Sequence, residues 1–307
     1  MIKNDKKTIM NKNLIVISGA TAIGKTNLSI KLAKYFNTEI ISADSRQFYK
    51  ELKIGSAHPS DDELLTIKHH FIGNLSITEN YNVGYYEKDV TELIDKLFNK
   101  YDIVIMVGGS GLYIDSICFG LDKFPEVNKL IKDELIEDYK TKGISFLQSE
   151  LKECDYEYYK ITDINNHQRL IRALSVIRVS GKKFSFFRNN QKTKRNFNIS
   201  HFSLQMERNL LYKIINNRVE IMLKNGLIEE AEGLIKYRNN NALQTVGYSE
   251  LFEYFDGKYN KEEAIMRIKQ NTRRFAKRQI SWFKNKEEIK YIDAENSFSK
   301  ILTIFNR

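Results

Sequence analysis

Gly19, Gly24, Lys25 and Thr26 hold the spacing G-x-x-x-x-G-K-[ST], and that spacing cradles phosphate. The backbone N–H groups of such a loop turn inward as an anion nest. A helix starting near Lys25 points its positive end at the same spot. Lys25 adds a mobile charge, and the Thr26 hydroxyl can hold Mg²⁺. The whole loop, Gly19-Ala20-Thr21-Ala22-Ile23-Gly24-Lys25-Thr26, is therefore a candidate site for a di- or triphosphate; whether that ligand is ATP is a separate question. Asp44 is the second chemical candidate. It lies just past an apolar run, and residues past a strand's carboxyl end face the ligand crevice of an open α/β sheet. An N-cap Asp occupies the same kind of position, and position alone does not separate the two roles. His58, His69 and His70 invite a metal site, but no acid or Cys lies at ligand spacing, so packing or turn roles are favoured.

The elements that must position these groups follow from the pattern. Leu14-Ile15-Val16-Ile17 reads as a strand running into the loop. Leu28, Leu32 and Phe36 have helical spacing, residues 39–42 read as a second strand, and residues 85–99 as an amphipathic helix. A third strand, 102–107, closes on Gly108-Gly109-Ser110-Gly111-Leu112-Tyr113. It lacks the Walker-B carboxylate with which ATP-hydrolysing P-loop proteins usually hold Mg²⁺. Its glycines let something come close to the backbone. Past Pro125 the alternation stops and the pattern is helical to about residue 200. A helix over 163–181 carries Arg169, Arg172 and Arg178, and the basic stretch 182–198 interleaves Phe184, Phe186 and Phe187. Aromatics among cations can stack on nucleotides, although at least two of the three are expected to pack the inserted domain. A return strand is expected at 201–204, then helices at 210–224, 227–237, 248–255 and 261–284, and a short strand at 289–293. On the long helix, Ile265, Ile268, Phe275 and Trp282 are expected to face the core, beside a face bearing Arg267, Arg274 and Arg278.

The expected fold is α/β: a P-loop NTPase-like parallel sheet flanked by helices, with an inserted, mainly helical domain. Residues 14–124 and 200–307 would form the catalytic core and 125–199 the insertion, after a disordered tail over 1–13. The 307 residues, 42% of them apolar, suffice for such a core. No run is long enough to span a bilayer, and the polar, lysine-rich start is no secretory signal. Cys118 and Cys154 form no C-x-x-C, which fits a reducing cytoplasm. The net charge of +10 is segregated: residues 164–206 and 264–286 contain no acid and carry nine and eight Lys/Arg. Such segregation points to a polyanion, and with the P-loop to nucleic acid.

With these residues in hand, the chain resembles the tRNA dimethylallyltransferases, also called tRNA isopentenyltransferases. Besides the P-loop, the resemblance rests on Ser42-Ala43-Asp44-Ser45-Arg46-Gln47-Phe48-Tyr49, Ile54-Gly55-Ser56-Ala57-His58-Pro59, His69-His70 and Val107-Gly108-Gly109-Ser110-Gly111-Leu112-Tyr113. It continues through Asn166-His167-Gln168-Arg169-Leu170-Ile171-Arg172, Val246-Gly247-Tyr248 and Thr272-Arg273-Arg274-Phe275-Ala276-Lys277-Arg278-Gln279-Ile280-Ser281-Trp282. Ala20 stands for a usual Pro, His58 for a usual Lys, Ser110 for a usual Thr, and Gly73 where an Asp often stands. The lack of a Cys/His zinc module looks bacterial. The resemblance implies transfer of a prenyl group from dimethylallyl diphosphate to the exocyclic amine of the adenine beside the anticodon. It implies Asp44 as general base, and Lys25, Thr26 with Mg²⁺, and Arg218 on the diphosphate. Without the resemblance, Arg218 would serve equally well in a surface ion pair with a nearby Glu. The implied tRNA anticodon stem-loop contacts are Asp44, Ser45, Arg46, Gln47, Ser110 and Gln168, Arg169, Leu170, Ile171, Arg172, with Arg273, Arg274, Lys277 and Arg278 on the last long helix. A cytoplasmic monomer is expected. A small-molecule kinase and a non-catalytic RNA-binding protein with a relic P-loop are the competing readings.

Overall fold

The computed structural model describes residues 12–189 and 192–305. Most of the tail expected over 1–13 lies outside them. Asn13 does not belong to a tail: it opens the first strand, and Lys12 donates to Asp102 at 2.8 Å.

In chain order the first part holds β1 (Asn13–Gly19), α1 (Lys25–Phe36), β2 (Ile40–Ser42), α2 (Asp61–Thr66), β3 (His69–His70), α3 (Val83–Phe98), β4 (Ile103–Val107) and α4 (Gly111–Phe119). Helices α5 (Lys129–Lys142), α6 (Ile144–Cys154), α7 (Tyr156–Ile161), α8 (His167–Ser180) and α9 (Phe184–Phe187) follow. Then come β5 (Asn198–Gln205), α10 (Arg208–Lys224), α11 (Leu227–Leu234), α12 (Tyr248–Phe255), α13 (Lys261–Phe283), β6 (Ile289–Asp293) and α14 (Ser297–Phe305).

All six strands are parallel, in the order β3-β2-β4-β1-β5-β6. Parallel strands buried on both faces read as continuous apolar runs, and Leu14 to Ile17 are fully buried. Ile17 and Ser42 both align with Val107, so β2 and β4 end at one level, and β1 runs on through Ser18 to Gly19 just beyond it. That level is where the loops carrying Gly19–Thr26, Asp44 and Gly108–Ser110 begin.

The chain forms two compact units, one up to Cys118 and from Arg195 onward, the other Phe119–Lys194. The boundaries lie a few residues from 125 and 199 for physical reasons. Phe124 stacks on Phe184 at 4.7 Å, inside the helical unit. Arg195 donates to the Ser116 and Ile117 carbonyls and pairs with Glu87, inside the sheet unit. The helical unit has its own core, including Leu135, Leu147, Leu151, Leu170 and Leu174. Phe184 is buried and Phe187 packs on that core, whereas Phe186 is 59% exposed beneath Lys182.

The stripe expected on the long helix is corrected. The residues of α13 that face inward are Ala264, Ile268, Ala276, Gln279 and Phe283; Phe275 and Trp282 are exposed. The glycine turn after β4 makes the room for this helix: Gly109 admits Gln279 and Gly111 admits Trp282. Trp282 lies along the turn's edge, where a Cβ on Gly111 would meet its ring at 2.2 Å.

Candidate active site

Gly24 caps α1 in the left-handed region, φ 97°, with no side chain taking up the helix's first amides. Those amides face a cleft, and the preceding turn needs positive φ at Ala22 as well. Ala20 and Ile23 are buried in the core, so the loop offers backbone, not side chains, at those positions. Lys25 donates to the Gly19 and Ala20 carbonyls at 3.0 and 2.7 Å. Burial lowers its pKa from 10.5 to about 8; Asp44 raises it in part and Arg218 lowers it.

A cleft of about 390 Å³ is lined by Thr21, Ala22, Gly24, Lys25 and Thr26 from the loop, Asp44 and Gln47 from the turn after β2, and Arg218 from α10. Three of the implied catalytic groups and Thr26 thus share one space. Burial pushes the Arg218 pKa down and Asp44 pulls it up, so the two side chains feel each other. The nearby Glu220 pairs with Lys269 instead, and among the described residues Arg218 has no ion-pair partner. Ile214, Asn217 and Ile221 join Arg218 along one side of α10, and the two isoleucines with Ala22 and Val107 add apolar surface.

No helix follows Asp44. Its carboxylate accepts from the Arg46 N–H at 3.1 Å and so closes a turn, the Asx geometry natural to this residue. The turn is fixed from several sides. Tyr86, fully buried, donates to the Ser42 carbonyl. Ser110 Oγ accepts from the Ser45 N–H at 3.0 Å. Gln47 accepts from Ser42 and donates to the Ala57 carbonyl. Arg46 donates to the Asn241 carbonyl at 2.8 Å, so its guanidinium is partly engaged.

The glycines after β4 approach three different neighbours. A Cβ on Gly108 would lie 2.2 Å from the Ala43 carbonyl oxygen, and one on Gly109 2.1 Å from Gln279. Gly111 admits Trp282. Among the described residues no cluster of three or more His, Cys, Asp or Glu could hold a metal. His70 instead bonds Glu39 at 2.5 Å, and His69 bonds the Ile67 carbonyl.

The residues expected to touch tRNA divide. Gln168, Arg169 and Arg172 are exposed on α8, with Arg172 over the Phe124 ring. The side chains of Leu170 and Ile171 differ from the others: both are buried in the helical unit's core, because the inward face of α8 falls on them. On α13, Arg274, Lys277 and Arg278 are exposed, and Arg273 donates to Asn216 at 2.6 Å. Among the described residues none of Arg169, Arg172, Arg273, Arg274, Lys277 and Arg278 has an ion-pair partner. Arg178 and Arg267 are paired, with Glu150 and Glu263. Gln279, Tyr86 and the lining residues of α10 other than Arg218 have no role legible in the sequence. Gln279 and Tyr86 act through residues distant in the chain, and only Gln279 lies within one of the motifs.

The IPP transferase family model matches residues 47–286. A tRNA dimethylallyltransferase of Christiangramia forsetii is 51% identical, covering 95% of this chain and 97% of that one. One of Flavobacterium psychrophilum is 49% identical, covering 95% and 97%. The crystal structure of a tRNA isopentenylpyrophosphate transferase from Bacillus halodurans is similar at 32% identity and a TM-score of 0.70, covering 96% of both chains. A eukaryotic dimethylallyltransferase acting on tRNA is similar at 27% identity and a TM-score of 0.80, covering 95% of this chain and 78% of that one. Likeness of this extent, running through the phosphate loop, the Asp44 turn and the long basic helix alike, makes the chain a member of the IPP transferase family, the family of the tRNA dimethylallyltransferases.

Proposed function

We propose that the chain transfers the dimethylallyl group of dimethylallyl diphosphate to the exocyclic N6 amine of the adenine 3′-adjacent to the anticodon, releasing diphosphate. The observation that carries this reading is the shared cleft of the phosphate loop, Arg218 and Asp44. An adenine amine is a poor nucleophile because its lone pair is delocalised into the ring. As the N–C bond forms and the C–O bond to diphosphate breaks, the amine proton goes to Asp44. Such general-base help is worth about 10²–10⁴-fold. The bridging oxygen gains negative charge, and loop amides, Lys25 and Arg218 stabilise it where it develops. The apolar surface of Ala22, Val107, Ile214 and Ile221 suits a five-carbon chain.

Mg²⁺ fits this donor set. It keeps several waters and takes one or two protein ligands beside phosphate oxygens, and Thr26 supplies a hydroxyl in the cleft. When bound, it neutralises charge on the diphosphate. The target base must leave its stack to reach Asp44. Arg169 and Arg172 in the helical unit, and Arg274, Lys277 and Arg278 on α13, supply cations for the anticodon stem-loop backbone. Nucleoside mass analysis of tRNA incubated with the protein, Mg²⁺ and dimethylallyl diphosphate tests the reading. N6-dimethylallyladenosine is the expected product; unmodified adenine throughout would overturn it.

A further inference from the structure

We propose that Gln279 is a positioning residue that holds the phosphate loop and the Asp44 turn in register, an inference that rests on the prenyl-transfer reading. Gln279 is only 5% exposed, although its helix neighbours Lys277 and Arg278 face solvent. A buried amide needs partners at both ends, and both of its partners belong to the site. Its Oε1 accepts from the Thr21 N–H at 2.7 Å, and its Nε2 donates to the Gly109 carbonyl at 3.0 Å.

Each bond leads to one half of the chemistry. Thr21 lines the cleft, and fixing its peptide plane fixes the entry to the anion nest. Gly109 sits between Gly108, which packs on the Ala43 carbonyl, and Ser110. The Ser110 N–H donates to the Ala43 carbonyl at 3.2 Å, and Ser110 Oγ accepts from the Ser45 N–H. Ala43 and Ser45 flank Asp44. One side chain thus reaches the leaving-group site directly and the proton acceptor through a single turn. The missing Cβ of Gly109 is the space the Gln279 amide occupies. A misplacement of about 1 Å between reacting groups lowers rate by about 10²-fold.

The amide has a fixed polarity, acceptor at one end and donor at the other, which makes Gln279→Glu informative. When protonated, the introduced carboxyl reproduces both bonds. When ionised, it has no donor and sets a charge against the Gly109 carbonyl. Burial raises the pKa of such a group. The ratio of variant to wild-type kcat should therefore rise as pH falls, and the ratio cancels titrations common to both proteins. Gln279→Met, which keeps volume without bonds, should lower kcat about 10-fold or more at every pH. Its KM for dimethylallyl diphosphate should move less than about threefold, because most nest amides remain. Gly109→Ala should lower kcat similarly. A pH-independent ratio for Gln279→Glu, with Gln279→Met within about threefold of wild-type kcat, would make Gln279 a packing residue and overturn the inference alone. If Gln279→Met fails to fold, the Gln279→Glu ratio decides. A wild type that forms no prenylated tRNA would overturn the functional reading and this inference with it.

Discussion

In the proposed reaction Asp44 and Lys25 carry most of the chemistry, and each has a separate signature. Asp44→Asn removes the proton acceptor while keeping an oxygen for the Arg46 N–H. Affinity for dimethylallyl diphosphate and tRNA should stay near normal while kcat falls about 10²-fold or more in steady-state assays. A fall of less than about threefold, with lower thermal stability, would leave Asp44 as a turn former only. Lys25 has a pKa lowered to about 8, so it is charged below that pH and neutral above it. Its ammonium is the form that attracts diphosphate, so kcat/KM for dimethylallyl diphosphate should fall as pH rises past about 8. The stability sign is opposite. Between about 8 and 10.5 the unfolded chain binds more protons at this group than the folded one, so its contribution to stability rises with pH there. A pH series of kcat/KM checks the first claim, and Lys25→Arg, which cannot lose its proton, should abolish the decline. At this scale the sequence marked Lys25, Thr26 and Asp44 as candidates, since local spacing specifies a loop or a strand end, and the three line one cleft. Gln279 and Tyr86 were not legible as site residues, because their partners Thr21, Gly109 and Ser42 lie far away in the chain.

Helix α13 shows what periodicity conveys and what it hides. Its existence and length were plain, but of the expected inward stripe only Ile268 is buried. Phe275 and Trp282 looked like core because they are large and apolar, yet the helix turns Ala264, Ala276 and Gln279 inward. Hydrophobic size alone does not reveal that Gly109 admits a polar side chain, Gln279, or that Trp282 lies at the edge of the turn beside Gly111. Two substitutions test this facing by chemical denaturation. Ala276→Leu adds volume to a fully buried position and should destabilise by about 1–3 kcal/mol. Phe275→Ser, at a position 37% exposed, should change stability much less. The reverse order would put the aromatic stripe back in the core. On α8 the resemblance, and not periodicity, put Leu170 and Ile171 among the implied tRNA contacts, and the helix turns their side chains inward between the exposed Gln168, Arg169 and Arg172.

Across the whole molecule, two acid-free stretches carry arginines without an ion-pair partner among the described residues, Arg169 and Arg172 on α8 in one unit and Arg273, Arg274 and Arg278 on α13 in the other. Cations that neutralise phosphates release counterions, so tRNA affinity should fall steeply with salt. Replacing Arg169 and Arg172, or Arg273 and Arg274, by alanine should each flatten the salt slope by roughly 0.7–0.9 for every phosphate left without its cation. Dimethylallyl diphosphate affinity should be unaffected. The two effects should be roughly additive if the pairs grip different phosphates. Unchanged slopes in both variants would move the RNA-binding surface elsewhere. The parallel sheet and the helical insertion were legible from alternation and its loss after Pro125, while the unit boundaries were not, because Phe124 and Arg195 are assigned by packing partners. The central claim is that a phosphate loop without a carboxylate after β4 serves prenyl transfer and not phosphoryl transfer. The most direct measurement gives the protein bulk tRNA and Mg²⁺ with either radiolabelled dimethylallyl diphosphate or ATP labelled in its terminal phosphate. Label should pass from dimethylallyl diphosphate to tRNA with no ATP present, and Lys25→Ala or Thr26→Ala should impair that transfer. Label passing from ATP to an acceptor, or ATP hydrolysis required for product, would contradict the account.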